Sequence, residues 1–229
     1  MIKGDRKREE IIRTAETLFC RQGYEKTGIQ EIIDLLHTSK GSFYHHFASK
    51  EMLLEEICRR RVQDQAAIVL SRMSEQGPAS FNLNVLFSGM MPLTGEKLTF
   101  LLMLLPVFNL PEGRNIRSGY CESLTAAFHP LITDQLISGT ISGECYCPDA
   151  ERTGRLCCLL LNDLWCRLCS MLISALEDKR EPDTGDMLAE TDICRNALEK
   201  IISAPFGSLE LINLTELKQM IGQIRLHWN

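Results

Sequence analysis

Between Thr38 and His46 the chain sets Thr38, Ser39, Lys40, Gly41, Ser42, Tyr44, His45 and His46 around one apolar residue, Phe43, with Phe47 just beyond. A helix kept for packing carries a wider apolar stripe. This one offers hydroxyls, an ammonium, imidazoles and a phenol, groups that bond phosphate oxygens and base edges. Gly41 costs roughly 1 kcal/mol against alanine inside a helix, which fits close approach of the backbone to another body or, equally, an inconsequential place in the first turn. Lys50 opens the next helix, where a cation opposes the helix dipole, and suits a phosphate contact; an ordinary solvated lysine is the alternative.

Two helices precede this segment and one follows it. Ile11, Ile12, Ala15, Leu18 and Phe19 recur at three-and-four spacing and predict an amphipathic helix over 5–22 that stops at Gly23. Thr27 is expected to cap a second helix, with Gln30 reaching back in a capping box, and Ile29, Ile32, Ile33 and Leu36 facing inward. Thr38 or Ser39 caps the third, and Ser49 the fourth, which finds no breaker before Gly77-Pro78. Three short helices with a turn of about four residues between the last two have the spacing of a helix-turn-helix.

The stretch AETLFCRQGYEKTGIQEIIDLLHTSKGSFYHHFASKEMLLEEI resembles the DNA-binding domain of the TetR/AcrR family of bacterial transcriptional regulators over about residues 8–57. Ala15, Phe19, Gly23, Thr27, Ser39, Gly41, Tyr44, His46, Phe47, Ser49, Lys50 and Glu51 carry the likeness. The resemblance implies that Thr27 touches a phosphate, that Thr38, Ser39, Lys40, Gly41 and Ser42 face the major groove, and that Tyr44, His45, His46 and Lys50 clamp the DNA backbone. The family's usual glycine before the recognition helix is replaced by His37, which can enter the left-handed region only at some cost. No arginine stands on the third helix, leaving Lys40 and DNA shape as sources of guanine preference.

Beyond Val62 no motif stands out, and the sequence predicts helix over 81–91, 95–105, 113–138, 149–176, 184–203 and 208–227. The fold class is therefore all-α, an N-terminal three-helix helix-turn-helix domain joined to a larger helical domain. The expected boundaries are 1–50 for the DNA-binding domain, a linking helix over 50–76, and 51–229 for effector binding and dimerisation, the last two roles being implied by the resemblance. The helix over 149–176 is apolar almost all round, which suits burial on both a core and a partner face. Asp163, Arg167 and Ser170 follow three-to-four spacing, as a pocket lining or, preferably, as an intrahelical pair or dimer contact. Met103 and Phe108, around Pro106, suit an apolar effector cavity, with core packing as the default.

Composition limits the functional classes. The 229 residues are 45% hydrophobic and 24% charged, with a formal net charge of −5, which opposes indiscriminate binding to polyanions. That average conceals an asymmetry: up to Val62 there are twelve Lys/Arg against ten Asp/Glu, and afterwards thirteen against twenty. The apolar runs at 100–108 and 156–161 fall short of the ~20 residues that span a bilayer, and the N-terminus has no signal-peptide pattern, so a cytoplasmic protein with no membrane partner is expected. Ten cysteines are expected as reduced, mostly buried thiols. Cys145, Cys147, Cys166 and Cys169 support an alternative in which metal or redox chemistry is the signal, although no metal site or cofactor is assigned. No glycine-rich phosphate loop or nucleophile-base pair indicates an enzyme, and Glu55-Glu56 suggest a solvated helix face. The expected whole is a homodimeric repressor on a pseudo-palindromic double-stranded DNA operator, released by a small-molecule effector.

Overall fold

The computed structural model describes residues 3–93 and 97–228, and no strand occurs among them. Ten helices follow in order: α1 Lys3–Gln22, α2 Ile29–Leu35, α3 Lys40–His46, α4 Lys50–Arg72, α5 Ala79–Met90, α6 Lys97–Val107, α7 Gly113–Ser142, α8 Ala150–Glu177, α9 Thr184–Ile201 and α10 Leu214–Trp228. The helix expected to start at Gly95 has its start outside the described residues.

Several boundaries move for identifiable reasons. Helix α4 stops short of Gln76, and the side chain of Asn82 then takes both the amide and the carbonyl of Ser74 (2.9 Å each). Helix α7 continues past Gly139 to Ser142. Helix α10 begins six residues later than Ser208, at a capping box: Asn213 Oδ1 accepts from the amides of Thr215 and Glu216, and Glu216 Oε2 accepts from the Asn213 amide. The capping box expected at Thr27 and Gln30 does not form. Gly28 is the N-cap of α2 with no side-chain bond, Thr27 donates its hydroxyl to the Gly23 carbonyl (2.8 Å), and Gln30 bonds Asp34.

The chain divides into two compact units, Met1–Arg61 with Thr99–Tyr120, and Val62–Leu98 with Cys121–Asn229. In the first, Ile11, Ala15, Leu18, Phe19, Ile32, Phe43, Phe47, Leu53, Leu54 and Ile57 are buried together with Tyr24. The predicted apolar stripes of α1 and of α3 with its flanks are therefore core, and so are Ile32 and Ile33 of α2. Glu56, expected on a solvated face, instead accepts from Arg8, Arg59 and Arg60 (2.7–3.0 Å). Burial alone would raise its pKa, but these guanidinium bonds outweigh that and hold the carboxyl at about 2.

In the second unit α8 lies against α9. Leu161, Leu164, Trp165, Leu168 and Leu172 of α8 are fully buried. Between Ala150 and Ala175 this helix is long and apolar enough to cross a membrane by length and composition. Uninterrupted runs do not reveal this, because Asn162, Asp163 and Arg167 break them. Its buried face forms core here, as a helix of a globular domain does. Gly89 of α5 has no room for a side chain, since a Cβ would run into Val69 of α4. At the other end of α5, the Glu144 carboxylate accepts from the Ser80 amide and hydroxyl, the Ser142 hydroxyl and the Ala79 amide (2.8–3.1 Å). These bonds hold Glu144 at about 2.

Candidate DNA-contacting face

Helix α3 is attached to the first unit by a single buried side chain, Phe43, whose ring meets that of Phe47 at 6.2 Å. Ser39 caps the helix, accepting from the Ser42 amide (3.1 Å). With Phe43 fixed inward, Ser39, Lys40, Gly41, Tyr44 and His45 are exposed, and Thr38, Ser42 and His46 are partly so. Nothing inside the protein demands glycine at position 41. Its φ is not positive, and an added Cβ would meet only Ser39 Oγ, at 3.9 Å. Burial, then the neighbouring His45 and Arg8, lower the pKa of His46.

The turn ahead of α3 is made by His37 at φ +45°. His37 donates its amide to the Asp34 carbonyl and Thr38 to that of Ile33, both at 3.1 Å. This is the paired arrangement that closes helices whose next residue is left-handed. Histidine thus occupies the position at which glycine is favoured, and the helix-turn-helix keeps its register.

Two residues in the expected contact set are placed differently from the rest. Thr27 is fully buried, its hydroxyl committed to Gly23. Lys50 turns inward: its Nζ donates to the carbonyls of Tyr24 (3.0 Å) and Thr27 (3.2 Å) and stands 4.1 Å from the centre of the Tyr24 ring. Tyr24 donates its hydroxyl to Glu51 (3.2 Å), and Ser49 caps α4 by accepting from the Met52 amide (3.2 Å). Tyr24, Thr27, Ser49, Lys50 and Glu51 therefore bolt the loop entering α2 to the start of α4. Tyr24 was not singled out by its sequence position. Its signal is an aromatic residue directly after the helix-ending Gly23, where it packs edge-on against Phe19 (5.2 Å).

The effector candidates are not alike either. Met103 and Phe108 are buried, as an apolar lining or a core requires. Asp163 and Arg167 are exposed and form the intrahelical pair (3.0 Å), with Arg167 also reaching Glu190 of α9 (3.2 Å). Of the cysteines weighed as a sensor, Cys145, Cys147 and Cys169 are buried and Cys166 partly so. Among the described residues, no three or more His, Cys, Asp or Glu side chains gather as a metal ion would require. His129 donates Nε2–H to the Glu151 carbonyl (2.9 Å), a structural contact between α7 and α8.

An exposed polar helix, anchored by one phenylalanine after a tight turn, has the arrangement of a helix-turn-helix. Residues 11–57 match the bacterial regulatory proteins of the tetR family. Over 52 residues it is 50% identical to the HTH-type transcriptional regulator YerO of Bacillus subtilis, covering 23% of this chain and 18% of that protein. Over 85 residues it is 32% identical to the HTH-type transcriptional repressor KstR2 of Mycolicibacterium smegmatis, covering 33% of this chain and 42% of the relative. The match thus spans less than half the length of these relatives. The crystal structure of RolR complexed with resorcinol shares the fold across 96% of this chain and 95% of its own, with a TM-score of 0.59 and 15% identity.

Proposed function

We propose that the chain is a non-enzymatic, cytoplasmic transcriptional repressor that binds a pseudo-palindromic double-stranded DNA operator as a homodimer and is released by a small-molecule effector. The observation that carries this is α3 itself, whose only buried side chain is Phe43. In this reading residues 1–50 contact DNA, the helix over 50–76 links, and 51–229 serve effector binding and dimerisation. Thr38, Ser39, Lys40, Gly41 and Ser42 face the major groove, while Tyr44, His45 and His46 contact the backbone. Thr27 and Lys50 act one step back, by fixing α2 and α4 in the geometry that presents α3. The relatives' description as transcriptional regulators and a repressor supports the output, and the resorcinol held by RolR supports an effector in a fold of this kind.

Two copies of α3 enter successive major grooves when they stand about 34–36 Å apart. An effector that binds the other spacing state better draws the population away from DNA. Met103 and Phe108 are the apolar candidates for the effector site. The Asp163–Arg167 pair belongs instead with the exposed apolar residues Leu156, Leu159 and Ile193 of α8 and α9 as the proposed dimer contact. The test is selection of random duplex DNA by the purified protein beside Tyr44→Ala. Enrichment of a two-fold-symmetric motif that the variant fails to enrich supports the reading, and a folded dimer that enriches no motif with or without extracted small molecules overturns it.

A further inference from the structure

Within the second unit, Asn162 of α8 fixes the register of α8 against α7. Its Nδ2 donates to the Cys121 carbonyl (3.2 Å) and to Thr125 Oγ1 (3.0 Å), and its Oδ1 accepts from Trp165 Nε1 (3.0 Å). One helical turn beyond Asn162 stands Cys166, whose sulfur lies 3.8 Å from that of Cys121. Neither is joined in a disulfide, and both are partly accessible. Cys157, Cys158, Cys169 and Cys194 differ in being buried. Burial pushes the Cys158 and Cys194 thiols up to about 12, which keeps them protonated and poorly nucleophilic.

We propose that Cys121 and Cys166 form a redox-active dithiol that a hydroperoxide converts to a disulfide joining α7 to α8. The two sulfurs already touch, and a sulfur–sulfur bond asks for an approach of roughly 2 Å, which side-chain rotation supplies. In the first step the thiolate of one cysteine attacks a peroxide oxygen, the O–O bond breaks, and a sulfenic acid and an alcohol result, water replacing the alcohol for hydrogen peroxide. In the second step the sulfur of the other cysteine attacks the sulfenic sulfur. The S–S bond forms, the S–O bond breaks, and the departing hydroxide leaves as water with the second thiol's proton. Two thiols lose two electrons and the peroxide gains them. Because the Asn162 contacts hold the helices in register, this pair is favoured over other pairings among the ten cysteines. The inference stands whether or not the protein binds DNA.

The test uses the full chain, first fully reduced, then treated with hydrogen peroxide, alkylated and digested without reduction. Mass spectrometry is expected to find Cys121 linked to Cys166 within one chain, two hydrogens lighter than the two reduced peptides together and reversed by dithiothreitol. Fragmentation must place the link at Cys166, because Cys157 and Cys158 lie between the same pair of arginines, Arg155 and Arg167. Cys121→Ser and Cys166→Ser, each checked for native helicity, should abolish the link, and at least one should accumulate a sulfenic acid trapped by dimedone. Cys121 and Cys166 both recovered alkylated after peroxide treatment would overturn the proposal, as would links confined to other cysteines or to two chains.

Discussion

The two units deploy polar side chains in opposite ways. In the first, one set is consumed internally, with Lys50 on two carbonyls, Tyr24 on Glu51 and three arginines on Glu56, while another set on α3 is presented outward. In the second, the notable polar groups close the fold itself: Glu144 on the start of α5, Asn82 on Ser74 and Asn162 between α7 and α8. Polar chemistry on a rigid exposed helix is available to a partner, whereas the same chemistry spent on helix ends and register is not. In the first unit the outward set on α3 is therefore left unspent by the fold.

The sharpest way to break this division is to separate stability from DNA binding on adjacent residues of α3. Phe43→Ala removes its one buried anchor and should destabilise the first unit by about 3–5 kcal/mol, read by denaturant unfolding. Tyr44→Ala, on the exposed side, should change stability by no more than ~0.5 kcal/mol while weakening binding to every DNA sequence. If Tyr44→Ala unfolds the unit as Phe43→Ala does, the outward face is structural and the division fails.

Lys50 tests the boundary between the two sets. Lys50→Met strips a charged donor from two carbonyls and should cost about 1–3 kcal/mol of stability. Because the ammonium is held inside, the slope of DNA affinity against salt should stay as in the parent protein. A slope reduced by about one would return Lys50 to the phosphate contacts. Lys40→Ala supplies the contrast, altering sequence preference with little loss of stability.

How legible each part was in the sequence follows from the kind of interaction involved. The inward residues of α1 and α3 and the caps at Ser39 and Ser49 are local and periodic, so spacing suffices to place them. The capping box at Asn213 and Glu216 is equally local, an N-cap with its partner three residues on. The bolt from Tyr24 to Lys50 and Glu51 spans more than twenty residues, and no periodicity encodes it. Lys50, whose place in the sequence suits a phosphate contact, is drawn inward by that bolt. Glu56 next to Glu55 looks solvated until Arg8, 48 residues away, is brought onto it. Cys121 and Cys166 meet only because α7 and α8 pack, and neither carries a motif.

Acid should expose a likeness between the units that their surfaces conceal. Glu56 and Glu144 each fall from an ordinary 4.5 to about 2 in the folded protein. A depressed carboxyl stabilises fully above its unfolded pKa, and the contribution is lost as pH falls through the folded value. Stability should therefore decline between about pH 4.5 and 2. Glu56→Gln should flatten that decline for signals from the first unit, and Glu144→Gln for signals from the second, followed by hydrogen exchange of α1 and α5. A decline unchanged in both variants would mean that other carboxylates dominate.

The smallest effect belongs to the turn between α2 and α3. His37 holds φ +45°, where a side chain is strained and glycine is not. The two amide bonds that close the turn involve only the backbone, so His37→Gly keeps them and relieves the strain. Glycine's freedom in the unfolded chain offsets part of that gain. The net expectation is a stabilisation of roughly 0.5–1 kcal/mol, measured by denaturant unfolding, with DNA affinity altered only if the exposed imidazole itself touches DNA. A destabilised variant would show that the histidine side chain contributes a contact worth more than the strain. A stabilised variant that loses affinity would add His37 to the outward-facing set and extend the DNA-contacting face across the turn.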